Sequence, residues 1–170
     1  MTAVASRDAI LADAPGLAAF GARSFTETFG HLYESADLAL FLENHTVESW
    51  ANELADPGFA VRIAEVEGAI VGYAKLGPPH LPFVPRGQAA ELRQLYVLAP
   101  HHGSGVGQAL MDWAIAIARS GGAENLYLSV FVDNHRARRF YARLGFVEEG
   151  SYKFMVGNHA DDDVVMRLAL

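Results

Sequence analysis

The sequence predicts an α/β architecture, a mixed sheet flanked by helices. Three observations carry that reading. Apolar and polar residues alternate with period two through "FAVRIAEVEGAIVGYAKL", and apolar residues recur at helical spacing in "NHRARRFYARLGF". The two kinds of element interleave in the order β-α-α-β-β-β-α-β-α-β-β, seven strands and four helical regions. At 170 residues the chain is expected to form one domain, residues 1–170, with room for a sizeable core.

A short strand is expected near Ala3–Ser6. "DAPGLAAFGARSFTETF" follows as a helix, with Leu17, Phe20, Ser24 and Phe25 near helical spacing and Asp13 placed to cap it. A second helical region spans about residues 35–55 and breaks near "ENHT". Residues 59–65 and 69–76 form a hairpin about "VEGA". "GPPHLPFVPRGQ" is a loop rich in proline and glycine. "AELRQLYVLAP" reads as a strand that Pro100 ends, because proline has no N–H for a ladder. A helix begins within "HHGSGVGQALM", with Val106, Leu110, Trp113, Ala114 and Ile117 on one face. "ENLYLSVFV" is an apolar strand. Asn134 then caps a helix whose Ala137, Phe140, Tyr141 and Leu144 share a face, and Gly145 stops it. "FVEEGSYKFMV" and "DDVVMRLAL" are the closing strands.

The chain has no cysteine, which excludes disulfides, thiolate metal sites and a cysteine nucleophile. A formal net charge of −7 argues against a nucleic-acid partner. It suits either a cationic substrate or simply an acidic, soluble surface. No apolar run approaches the roughly 20 residues of a membrane helix, so no membrane partner is expected. The N-terminal residues lack the basic start and unbroken apolar run of a signal peptide. A cytoplasmic protein is therefore expected.

"HHGSGVGQALM" sets Gly103, Gly105 and Gly107 between a strand and a helix. Exposed backbone N–H groups and the helix dipole favour an anion at such a place. The spacing is not GxxxxGK[ST], and Gln108 and Leu110 stand where the last glycine of GxGxxG would fall. On these residues alone, a tight strand–helix turn without a ligand remains the alternative.

Two segments together resemble the GCN5-related N-acetyltransferase (GNAT) superfamily. In "LYVLAPHHGSGVGQALM", Val97 and Pro100 match the strand end of its first motif and Gly105 and Gly107 match its glycines. His102 stands where Gln or Arg is usual. In "NHRARRFYARLGF", Asn134, Ala137, Phe140, Tyr141, Gly145 and Phe146 match the second motif. The resemblance implies the GNAT fold, a mostly antiparallel sheet of about seven strands. Its fourth and fifth strands, here about Glu91–Leu98 and Leu126–Phe131, would run parallel and splay apart. Acetyl-CoA is the implied co-substrate, with its pyrophosphate in the loop of His102, Gly103, Ser104, Gly105, Val106, Gly107 and Gln108. Leu95, Tyr96 and Val97 would lie beside the pantetheine, the backbone of Leu95 and Val97 pairing with it. Asn134, Ala137, Phe140 and Tyr141 complete this cofactor site, and Arg143 is the arginine best placed for the adenosine phosphates. His101 reads as a solvated neighbour and Arg138 as solvated helix face.

The implied activity is direct transfer of an acetyl group to a primary amine. The amine must lose a proton, the developing oxyanion needs a donor, and the departing thiolate needs a proton. Tyr141 resembles the family's general acid; as a residue alone it could equally be the polar edge of an aromatic pair with Phe140. Glu91 corresponds to an acid that many relatives use to take the amine proton. Strand alternation would put it on the face of Arg93, Leu95 and Val97. An ion-paired strand glutamate is the alternative. The N–H of Val97 is the expected oxyanion donor.

The outer thirds of the chain, with "SFTETFGHLY" and "GSYKFMVG", look most like PaiA-type polyamine N-acetyltransferases. That likeness would put Phe29, Tyr33, Glu91 and Tyr152 in the substrate wall, where aromatic and acidic groups suit an ammonium. A protein N-terminal or lysine acetyltransferase and a non-catalytic acyl-CoA sensor are the other readings. The assembly is left open, a homodimer included. His159 with Asp161, Asp162 and Asp163 reads as an acidic turn before the last strand, and no metal site is expected.

Overall fold

A computed structural model describes residues 2–43 and 45–170. Its strands are β1 (Ala5–Asp8), β2 (Ala60–Val66), β3 (Ala69–Gly77), β4 (Ala89–Val97), β5 (Asn125–Phe131), β6 (Val147–Val156) and β7 (His159–Ala169). Its helices are α1 (Ala14–Phe29), α2 (Ser35–Leu42), α3 (Val47–Ala55), α4 (Val106–Ser120) and α5 (His135–Arg143). The strands form one sheet in the order β1-β2-β3-β4-β5-β7-β6, antiparallel throughout except between β4 and β5. This is the expected mixed fold. No helix among the described residues is long and apolar enough to cross a membrane.

Local chemistry explains most boundaries. Glu67 and Gly68 join β2 to β3 with both φ angles positive, 52° and 80°, the two-residue turn whose twist matches a hairpin. The Asn134 side chain accepts the Ala137 N–H at 3.3 Å, and Gly145 at φ 101° closes α5. The second helical region is two helices; Thr46 caps α3 by accepting the Ser49 N–H at 3.1 Å. Asn44, in the expected break, lies outside the described residues. Asp13 precedes α1 without capping it. Its carboxylate instead takes two Arg7 N–H bonds, both 2.8 Å, and the Ile10 N–H, tying β1 to the following turn.

The sheet buries both faces. On one, Val106, Leu110, Met111 and Ala114 of α4 pack against Ala74, Leu76, Leu92, Leu126 and Leu128. On the other, Leu17 and Phe20 of α1 and Trp50 of α3 pack against Ile63 and Tyr73. We call these the α4 face and the α1 face. The buried stripe of α4 runs through Met111 and Ala118 rather than Ile117, which is 39% exposed.

β4 and β5 pair over only three residues, Ala89–Glu91 with Asn125–Tyr127. Beyond them β4 carries a bulge: Leu92 pairs with Leu76 and Gln94 with Lys75, leaving Arg93 as the extra residue. A bulge bends and twists its strand, here where β4 leaves β5. It also reverses the alternation of side chains. Leu95 and Val97 join Leu92 on the α4 face, whereas Glu91, opposite Tyr127, lies on the α1 face. The expectation that Glu91 shares a face with Leu95 and Val97 is thus corrected by one inserted residue.

The last strand starts earlier than expected. Gly157, at φ 59°, turns the chain, and His159–Asp163 are strand residues rather than an acidic turn. Asp163 pairs with Phe131 and Tyr152 on the α1 face, with Asp161 two residues along on the same face. Asp162 points the other way, exposed and ion-paired with Lys153.

Leu110, 1% exposed, is the anchor of α4. Leu110→Ala is expected to cost about 2–5 kcal/mol, and Ile117→Ala under about 1 kcal/mol. Urea denaturation of the two variants measures the contrast.

Candidate active site

A cleft of about 590 Å³ opens where β4 and β5 separate, lined from both faces of the sheet. The glycine loop and α5 form its wall on the α4 face, and α1 and β7 form its wall on the α1 face.

The edge of β4 faces this gap. The Leu98 N–H donates to the Val71 carbonyl at 2.9 Å. In an antiparallel ladder the bonded and non-bonded pairs alternate, so the N–H and C=O of Val97 and of Leu95 turn away from β3, toward the gap. His102 folds onto that edge, its Nε2–H donating to the Val97 carbonyl at 2.7 Å. The residue at the motif's usual Gln or Arg position therefore satisfies a strand carbonyl. Tyr96, between Leu95 and Val97, also lines the cleft; its phenol is pushed up by burial and lies within electrostatic reach of Tyr141 and Asp163.

In the loop, Gly103 has φ 76° and Gly105 has φ 93°, which L side chains rarely adopt. A Cβ at either would meet nothing within 4 Å beyond its own chain neighbours. The conformation demands glycine, and the space above the loop is open. The first-turn N–H groups of Val106, Gly107 and Gln108 have no partner inside α4, the arrangement that favours an anion at a helix N-terminus. His101 lines the cleft with His102, Gly103, Gly105, Gly107 and Gln108. Ser104 and Val106 do not contribute side chains. The Ser104 hydroxyl donates to the His101 carbonyl at 2.5 Å, and Val106 is buried in the core.

Asn134, Ala137, Phe140 and Tyr141 of the second motif line the cleft, together with Arg136, Arg139 and Arg143. Arg138 departs from expectation: it donates to the Val132 carbonyl at 2.7 Å and pairs with Glu148. Tyr141 packs edge-on against Phe140 and Phe146, with centroids 5.4 and 5.7 Å away. Burial pushes its phenol up to about 12, against a lowering influence from Arg136. It therefore keeps its proton at neutral pH and can donate it.

The α1-face end is aromatic and acidic. Phe25, Phe29, Tyr33, Phe131, Phe154, Asp161 and Asp163 line it. Phe29 meets Phe131 edge-on at 6.3 Å. Tyr33 donates to one oxygen of Asp161, and the other oxygen lies 3.2 Å from His159 Nε2. Asp163 is 6% exposed. Burial lifts its carboxyl to about 6; Asp161 and Asp162 add to the rise, and a hydrogen bond with Ser129 opposes it.

Two residues expected in the substrate wall do not line the cleft. Glu91 is 2% exposed; it accepts the His80 N–H at 3.1 Å, lies 2.6 Å from His80 Nδ1 and 3.3 Å from Arg93 Nε. It ties the loop after β3 to β4. The Tyr152 hydroxyl lies 3.1 Å from that of Ser129, and the ring packs with Leu81, Tyr127 and Val165. Tyr152 lies within electrostatic reach of both Glu91 and Asp163. Asp161 and Asp163 were missed in the sequence. Extending the strand alternation of Val165 back through "DDDVV" is the signal that would have placed them on this face.

Residues 22–146 match the acetyltransferase (GNAT) family. The chain belongs to that family. It is 37% identical over 159 residues to an uncharacterized N-acetyltransferase of Mycobacterium tuberculosis, which covers 92% of this chain and 97% of that protein. The crystal structure of PaiA N-acetyltransferase from Thermoplasma acidophilum in complex with coenzyme A shares the fold, with TM-score 0.79 at 19% identity over 99% of both chains. Ribosomal-protein-alanine N-acetyltransferase from Brucella melitensis matches with TM-score 0.73 at 29% identity, over 98% of this chain and 99% of that one.

The raised carboxyl of Asp163 has a stability consequence in this acetyltransferase. The native enzyme holds that proton to higher pH than the unfolded chain does. Stability therefore falls as pH rises from the ordinary carboxylate range through about 6. Asp163→Asn removes that loss. The variant is expected to melt above the parent at about pH 7 and close to level with it at about pH 3, where the carboxyl is mostly protonated in both states. Paired thermal melts at the two pH values measure the difference.

Proposed function

We propose that this acetyltransferase moves the acetyl group of acetyl-CoA onto a primary amine of a small cationic molecule such as a polyamine. The observation that carries this reading is the cleft itself. It joins an anion cradle and a protonated buried tyrosine to an end walled by aromatic rings and two buried carboxylates. Ring faces and carboxylates both attract an ammonium group.

The residues present fit coenzyme A. The loop from Gly103 to Gln108 would hold the pyrophosphate, the open edge at Leu95 and Val97 would pair with the pantetheine arm, and Arg136, Arg139 and Arg143 would face the outer phosphates. The PaiA structure of the same fold contains coenzyme A. Bound acetyl-CoA supplies the acetyl group as a thioester. The Val97 N–H, turned into the gap, donates to the carbonyl oxygen as negative charge develops there. Tyr141 donates its proton to the departing sulfur.

A second reading, transfer to the N-terminal amine of a protein, draws on the 29% identity with the Brucella enzyme. An amine panel separates the two: spermidine, short diamines, and peptides beginning with alanine or containing lysine, assayed by thiol release from acetyl-CoA. Fastest turnover of a small polyamine supports the proposal. Preference for a peptide favours the second reading, and no release with any amine overturns both.

Tyr141→Phe is expected to lower kcat at least about tenfold while the acetyl-CoA Kd stays within about threefold. Steady-state kinetics with calorimetry on the same preparation check both numbers. Gly105→Glu puts a side chain and a negative charge over the cradle at a positive φ. Calorimetric acetyl-CoA binding is expected to be lost while circular dichroism shows a folded chain.

A further inference from the structure

We infer that Asp163 is the base that takes the proton from the acceptor amine. This rests on the transfer reading above and names the group that completes it. Family resemblance pointed to Glu91 for this task, but Glu91 does not line the cleft and is held by His80 and Arg93. The bulge at Arg93 is the physical reason, because it separates Glu91 from the part of β4 that borders the gap.

The carboxylates near the α1-face end differ in what already holds them. Asp161 is engaged by Tyr33 and His159. Asp162 points out of the sheet to Lys153. Asp163 is more than nine-tenths buried, lines the cleft, and has no cationic partner among the described residues. A buried carboxylate without a cation is costly unless one arrives. The ligand that the cleft admits, an ammonium, is such a cation.

Placement on the sheet supports the role. Asp163 sits on the α1 face opposite Phe131, and Tyr141 reaches the same cleft from α5 on the α4 face. Base and acid thus approach the gap between β4 and β5 from opposite sides. The groups facing Asp163 are Asp161 on its own strand, Tyr33 from the turn after α1, Tyr96 from β4, Ser129 from β5 and Tyr152 from β6; Asp162 acts on it through space from the opposite face, and His159 lies beyond Asp161. Burial pushes all three phenols up, so they keep their protons. A carboxyl lifted to about 6 is still mostly ionised at neutral pH and is a better proton acceptor than an ordinary carboxylate.

The proton balance closes. The ammonium gives one proton to Asp163, and its freed lone pair forms the C–N bond as the C–S bond breaks. Sulfur takes the Tyr141 proton, the second nitrogen proton restores the phenol, and Asp163 releases its proton to water. One proton appears in solution per acetyl group transferred.

The test uses acetyl-CoA and whichever amine of the panel turns over fastest. The pH dependence of kcat/KM is measured for the parent, Asp163→Asn, Asp163→Glu and Glu91→Gln, with calorimetric acetyl-CoA binding for each. The parent is expected to show a rising limb with its midpoint near 6, well below any limb from the amine itself. Asp163→Asn should lose that limb and about a hundredfold or more in kcat with acetyl-CoA binding retained. Asp163→Glu should restore part of the rate with a shifted midpoint, and Glu91→Gln should keep the limb. Persistence of the limb in Asp163→Asn overturns the inference. So does a rise in KM with kcat unchanged, which would make Asp163 a binding group only. A parent that acetylates no amine fails the transfer reading itself, and the inference falls with it.

Discussion

The parallel pairing of β4 and β5 lasts three residues, and the extra residue at Arg93 marks where it ends. The divergence leaves the N–H and C=O groups of Leu95 and Val97 facing a gap. Elsewhere an unpaired strand edge invites aggregation. Here it is recessed between the glycine loop, α5 and the aromatic end of α1, and it is the surface a cofactor arm can pair with. The inserted residue is itself anchored. The Arg93 guanidinium donates twice to the Pro78 carbonyl, at 3.0 and 2.5 Å, and lies over the Phe59 ring. The bulge is thus held by Pro78 of the loop after β3 and by Phe59 just before β2, with Glu91 and His80 closing the same cluster.

One cause, burial in a cleft with few compensating charges, acts on two groups of opposite task. It pushes the Tyr141 phenol up, which keeps a proton available for donation. It also lifts the Asp163 carboxyl, which makes that group a better acceptor while leaving it mostly ionised. Three consecutive aspartates on β7 show how finely the sheet divides chemistry. Alternation sends Asp162 to solvent and Lys153, while Asp161 and Asp163 enter the cleft. Tyr33 then distinguishes the two by bonding to Asp161. If Asp163 takes the amine proton as proposed, the stability lost in ionising it is the kind of cost a functional site carries.

The parts that could be read from the sequence are those governed by neighbours within a few residues. Gly103 and Gly105 announce themselves because their backbone angles are ones that only glycine adopts easily. Asn134, Tyr141 and Gly145 follow from capping and helical spacing, and the hairpin follows from its two-residue turn. These local rules located the strand–loop–helix unit and α5, hence most of the α4-face wall of the cleft. They failed where the answer depends on a distant partner. Glu91 was put on the wrong face because the bulge is set by the register of β4 against β3, not by the residues of β4.

The sequence by itself determined the order of elements, because period and capping act over a few bonds, and its two motifs carried the resemblance that singled out the glycine loop and Tyr141. Tertiary structure decided the α1-face end of the cleft. Asp163 is placed in the cleft by pairing with Phe131 of β5 and Tyr152 of β6, and Asp161 by the β6 pairing that extends the strand back to His159. Asp161 gains its partner from Tyr33, 128 residues earlier in the chain. Whether an aspartate is solvated, tied or free to take a proton is a matter of what surrounds it. Those surroundings come from segments that meet only when the sheet closes.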